Sequence, residues 1–242
     1  MKLALVHARA NLLQLLRYPT FAVPTLLLPA ILYAFFGLPQ AHDRPNLLMA
    51  SFAAYAVLSV AFFQFGVGIA ADRMDPWEAY LRTLPVTSAA RFCARVLAAL
   101  AFGVGSAAVV VVLALAATSA SLGAAAWTRF AVALLAGGVP LALLGIALGY
   151  WIPAKGALPV ANVLYLAFSY AGGLWTGPSR LPKPVEALSP YLPTRQWGDV
   201  VWATVLGGGW GGTHWLALAA YGIVFALLAA WGYRRDEGER FR

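Results

Sequence analysis

Six long apolar runs alternate with short polar stretches along the chain, the pattern of transmembrane helices joined by connections on alternate sides. The runs fall at residues 20–38, 47–71, 92–118, 130–150, 157–176 and 214–233. Each is near the roughly 20 residues that cover a hydrocarbon core of about 30 Å. Ahead of them, residues 1–18 place Leu5, Leu12 and Leu16 within about 40° of one another, with His7 and Gln14 opposite. Lys2, Arg9 and Arg17 can reach lipid phosphates from such a helix, which predicts an interfacial amphipathic helix, bent into the bilayer at Pro19.

The polar island at 72–91 has its own pattern. Asp75 suits an N-cap, Pro76 the first helical position, and Glu78 stands three residues after the cap, as in a capping box. Trp77, Tyr80, Leu81 and Leu84 recur at i, i+3, i+4 and i+7 and make one apolar ridge. Glu78 and Arg82 form an i,i+4 pair on another face, and Pro85 ends the helix. A short amphipathic helix between two spans therefore offers a ridge to a partner or to the membrane surface.

Residues 177–213 are too patterned for a plain loop. Pro178, Pro182, Pro184, Pro190 and Pro193 precede Thr194, a cap for the stripe Trp197, Val201 and Val205, and six residues from Gly207 to Gly212 turn the chain back. Short re-entrant or interfacial helices fit this composition. Inside the spans, Pro24, Pro29 and Pro140 predict kinks whose freed carbonyls neighbouring helices satisfy. Gly103 and Gly105, Gly137 and Gly138, Gly145 and Gly149, and Gly172 and Gly173 permit close helix contact.

Composition fixes the class. With 62% hydrophobic residues, 11% charged residues and a mean hydropathy of +0.75, residues 1–242 read as one all-α polytopic membrane domain. The net charge of +8 is read by its place relative to the spans, and no nucleic-acid partner is expected. Twelve Lys and Arg residues fall at the N-terminus, in 72–91, at Arg95 and Lys155 and in the tail 234–242, against five in the opposite connections. Both termini and 72–91 are thus expected in the cytoplasm and 177–213 outside. A single cysteine, Cys93, excludes an internal disulfide framework, and no cleavable signal pattern is present.

Several chemistries find no motif. There is no Gly-x-x-x-x-Gly-Lys-[Ser/Thr] phosphate loop, no Asp or Glu at mid-depth in a span, and no His-Glu-x-x-His or paired cysteine. The histidines are His7, His42 and His214, and pairing His214 with Ser106 as a catalytic couple lacks any supporting motif. No catalytic residue, metal ligand or cofactor is expected in this chain, so a transport function needs energy from elsewhere.

The order of parts, with the segment from Asp72 to Pro85, resembles the permease subunit of ABC-2 type exporters over nearly the whole length. That family commonly shows an acidic-Arg-acidic beginning, a leucine-bearing helix and a closing proline, which is similar here at Asp72, Arg73, Leu81 and Pro85 and departs at Met74 and Pro76. Leu181-Pro182 followed by Leu192-Pro193 resembles the family's paired Leu-Pro outer segment. The resemblance implies a permease that dimerises, binds a separate ATPase subunit carrying ATP and Mg, and passes substrate at the dimer interface. It also implies that Asp72, Arg73, Trp77, Glu78, Tyr80, Leu81, Arg82, Leu84 and Pro85 belong to a coupling helix that contacts the ATPase. The charge-poor spans suit an amphipathic or apolar cargo, such as a drug, lipid or lipid-linked compound. The alternative is a membrane scaffold or assembly factor whose ridge lies on lipid. A secondary carrier ranks below both, for want of buried carboxylates.

Overall fold

The computed structural model describes Arg9, Leu12, Leu13, Arg17 and residues 19–75, 88–177 and 181–240. The N-terminal helix expected over 1–18 lies almost wholly outside the described residues, although Leu12 packs against a hydrophobic cluster that includes Val60, Phe65 and Phe102. The amphipathic helix expected from Pro76 to Pro85 also lies outside them.

Every described element is helical. Helix α1 (Pro19–Leu32) continues through a π turn at Tyr33–Gly37 and a 3-10 turn at Leu38–Gln40. Helix α2 (Pro45–Val60) runs through a π segment, Ala61–Val67, into α3 (Gly68–Asp72). Then come α4 (Ser88–Ala117), α5 (Ala124–Trp151) and α6 (Ala154–Ala171), the short α7 (Lys183–Leu188) and α8 (Pro193–Val205), and finally α9 (Gly212–Arg240). Among the described residues, five stretches are long and apolar enough to cross a membrane: Ala22–Gln40, Pro45–Asp72, Val96–Ala117, Ala124–Trp151 and Gly212–Asp236. The remaining expected span, fifth in chain order at 157–176, corresponds to α6, whose 18 residues include Lys155, Pro159 and Asn162. These dilute its hydropathy, so it is not among the five.

Helix α2 occupies the centre, with Leu47 through Ala56 all buried, because small alanines alternate with Phe52 and Tyr55 and let neighbours approach from every side. Around it gathers an aromatic core. Tyr55 and Tyr165 stack with ring centroids 4.6 Å apart, Phe62 and Phe63 close on Tyr165, and Trp175 meets Tyr55 edge-on. Helix α6 joins this core through Ala157, Ala161, Tyr165 and Ser169, a buried stripe of strict four-residue spacing.

Glycines bring α5 against the π segment at backbone distance. A Cβ on Gly145 would overlap the Ala61 carbonyl, and one on Gly149 would stand 2.7 Å from the Ile69 Cβ and 2.8 Å from the Phe65 carbonyl oxygen. The small-residue spacing therefore works within the chain, as a small-xxx-small contact. Pro29 removes the amide that the Thr25 carbonyl would have received, and Ser106 of α4 donates its hydroxyl to that oxygen at 3.0 Å. This is the neighbour satisfaction that a kinked membrane helix requires.

The stretch from Pro193 to Val205 enters the bundle. Trp197 of α8 is fully buried, fits where Gly137 and Gly138 leave space, and donates its indole N–H to the Ala133 carbonyl at 3.0 Å. Trp202 donates to the Ser51 hydroxyl at 2.7 Å. Thr194 does not cap the helix as expected; its hydroxyl reaches back to the Phe168 carbonyl at 2.8 Å, and the N-cap position is Leu192. Gly172, expected to permit helix contact, packs under that same Thr194, and Gly173 turns the chain with φ +80°.

Candidate functional site at the Arg73 end

Connections segregate to two ends of the bundle. At one end Asn46 exchanges hydrogen bonds with the Ser121 backbone at 2.9 and 3.0 Å, and Arg129 bonds the Gly208 carbonyl at 2.6 Å. At the other end, the close of α3, the α5–α6 corner and the end of α9 converge on Arg73.

The local sequence explains how. Helix α5 stops at Trp151 because Pro153 follows two residues later, and Ile152 turns extended, with φ −98° and ψ 134°. This leaves the last carbonyls of α5 without amide partners and concentrates negative potential there. Arg73, in the turn after α3, answers both needs. Its Nη1 donates to the carbonyls of Gly149 at 3.1 Å, Tyr150 at 2.9 Å and Ile152 at 3.4 Å. Its Nε donates to Asp236 Oδ1 at 2.7 Å, with the Asp236 side chain 7% exposed and that of Arg73 21% exposed. One guanidinium thus fastens the second, fourth and last long helices to one another.

Aromatic rings frame this lock. Trp151 stands edge-on to Trp231 at 4.7 Å, Tyr150 meets Tyr233 at 5.5 Å, and the Arg235 guanidinium lies 5.5 Å over the Trp151 ring. Trp151, Tyr150, Arg235 and Lys155 border a cavity of ≈ 420 Å³ beside Arg73 and Asp236.

Of the residues expected to form the coupling element, the structure describes Asp72, the half-buried last residue of α3, and Arg73. Trp77, Glu78, Tyr80, Leu81, Arg82, Leu84 and Pro85 lie outside the described residues. Asp236 is the site residue that the sequence pattern does not single out. In the sequence it is one more residue of a solvated basic tail, but α9 continues to Arg240 and turns this carboxylate inward. The available signal is the first acid after the last span, directly following Arg234 and Arg235, a place where an inward partner for a cation such as Arg73 can be sought. Ser106 and His214 are not a catalytic pair: Ser106 bonds the Thr25 carbonyl, and the His214 Nδ1 lies 2.6 Å from Gln196 Oε1.

No family model matches the chain. It is 24% identical over 234 residues to the protein named "Putative transport permease YvfS" of Bacillus subtilis (strain 168), a match covering 94% of this chain and 96% of that one. The chain resembles a transport permease from end to end. A membrane transport subunit is the function that this relative and the apolar helices support together.

Proposed function

We propose that this protein is the membrane subunit of an ATP-driven ABC-2 type exporter. It lies in a bacterial cytoplasmic membrane with both termini inside, and two copies pair around the substrate path. A separate ATPase docks on the ridge of Trp77, Tyr80, Leu81 and Leu84, with Glu78 and Arg82 at its edge, and moves an amphipathic or apolar cargo outward. Helix α6 is the fifth of six spans. In support, its buried stripe packs on α2, while Leu158, Val163 and Leu166 on its other faces are exposed, as lipid or a second copy requires. Leu27, Ile31 and Phe35 make a similar exposed apolar face on the first span, whose Phe36 touches Trp175 just beyond α6.

The observation that carries this reading is the Arg73 lock. The segment that would receive the ATPase begins two residues after an arginine bonded to the ends of α5 and α9. A push on that segment is delivered to two spans at once rather than absorbed by a loose loop. Co-purification of the permease with an ATPase bearing a phosphate loop, and ATP-dependent export by vesicles holding both, tests the proposal. A permease that transports alone in an ion gradient, or that recovers no ATPase, overturns it.

A further inference from the structure

We propose that the cavity beside Arg73 binds the phosphate headgroup of an anionic membrane lipid, with the acyl chains lying along α9. The cavity, ≈ 420 Å³, has the volume of a small-molecule site and is bordered by three cations, Arg73, Lys155 and Arg235, against one carboxylate, Asp236. Even with Arg73 and Asp236 bonded to each other, three positive charges against one negative leave a positive excess at this border. Arg235 is held in place by its stack on Trp151, which in turn is fixed by donating its indole N–H to the Leu228 carbonyl at 3.0 Å. A guanidinium fixed on a ring is pre-ordered for a phosphate and loses less freedom on binding.

The source of the phosphate follows from the surface below. Val224, Leu228, Trp231 and Arg235 follow at i, i+4, i+7 and i+11, one face of α9, and the three apolar members are exposed. A single stripe therefore runs from lipid-facing aliphatic surface, past a tryptophan at the depth where headgroups sit, to an arginine at the cavity. A free phosphate compound would use the cations alone. A phospholipid uses both cations and stripe. This assignment is independent of the exporter reading, since it concerns the permease by itself.

The test uses the purified full-length permease in phosphatidylcholine nanodiscs, with and without phosphatidylglycerol, and reads lipid retention by native mass spectrometry beside thermal stability. Phosphatidylglycerol should be retained over phosphatidylcholine and should raise the melting temperature. K155A/R235A should lower the preference about tenfold or more, since it removes two of the three cations at the cavity. Arg235→Lys, which keeps the charge, should retain most of the preference, and Lys183→Ala in α7 should leave it unchanged. Equal retention of the two lipids by the wild-type protein overturns the proposal whether or not the variants fold. So does an undiminished preference in the double variant, or stabilisation by inorganic phosphate as strong as that by the lipid.

Discussion

An arginine that bonds three carbonyls at the end of one helix and a carboxylate on another cannot be removed without stranding polar groups. Arg73→Ala leaves Asp236 charged and largely buried, and breaking such a pair costs about 3 kcal/mol or more. Asp236→Asn keeps an oxygen that accepts from Nε and should cost less, about 1 kcal/mol. Unfolding of the purified permease in detergent should rank wild type above Asp236→Asn and Asp236→Asn above Arg73→Ala, and equal stability of all three would remove the lock from the account. Gly145 is the second sensitive residue, because its missing Cβ is what lets α5 reach the Ala61 carbonyl. Gly145→Val should cost about 3 kcal/mol or more through forced separation of two backbones. Gly123→Ala, where nothing lies within 4 Å, is the control expected to change stability little. The spacing of Gly145 and Gly149 is legible in the sequence alone. Their partner is not, because a small residue states that something comes close without stating what.

Among the elements, the short α8 is enclosed on more than one face. Its 13 residues bury Trp197, Val200, Val201, Trp202 and Val205. The sequence pattern marks Trp197, Val201 and Val205 as one stripe, and these are buried as a set. It does not mark Val200 and Trp202, because a helix wedged among α2, α5 and α9 is enclosed on more than one face, and periodicity reports one face only. Thr194 misleads for a different reason. A threonine near a helix start satisfies an amide when the end is exposed, but here the Phe168 carbonyl lies closer to hand, at the glycine-bearing end of α6. Trp197→Phe should lose the bond to Ala133 and about 1 kcal/mol, whereas Trp197→Ala should lose about 3–5 kcal/mol by leaving a cavity between Gly137 and Gly138. Detergent unfolding of the two variants reads the difference; near-equal losses would mean that the ring contributes little packing. The long apolar helices are the most readable elements, since length and composition suffice for them. Asp236 is the least readable position, because a charge beyond the last apolar residue reads as solvated unless the helix carries it inward.

At the scale of the whole molecule, the lock and the aromatic frame collect Arg73, Lys155 and Arg235 at one end, while Arg129, near the start of α5, and Lys183, at the start of α7, lie toward the other. These three basic residues, expected from the sequence to be cytoplasmic, thus share an end of the folded chain. With that end inside, a cysteine at Lys183 should react with an impermeant reagent in intact cells, and a cysteine at Ala79 only after permeabilisation. The reverse pattern would invert the molecule and put the proposed ATPase site on the wrong side. The central claim is that the segment after Asp75 couples this permease to an ATPase, and it is tested most directly by recovery of that ATPase on wild-type and Trp77→Ala permease at equal insertion levels. An aromatic anchor at an interface commonly costs about 2 kcal/mol or more on truncation, so association should weaken roughly 30-fold or more, while Glu78→Ala at the exposed edge should change it only a few-fold. Undiminished recovery of the ATPase together with undiminished transport by the Trp77→Ala permease would contradict the account.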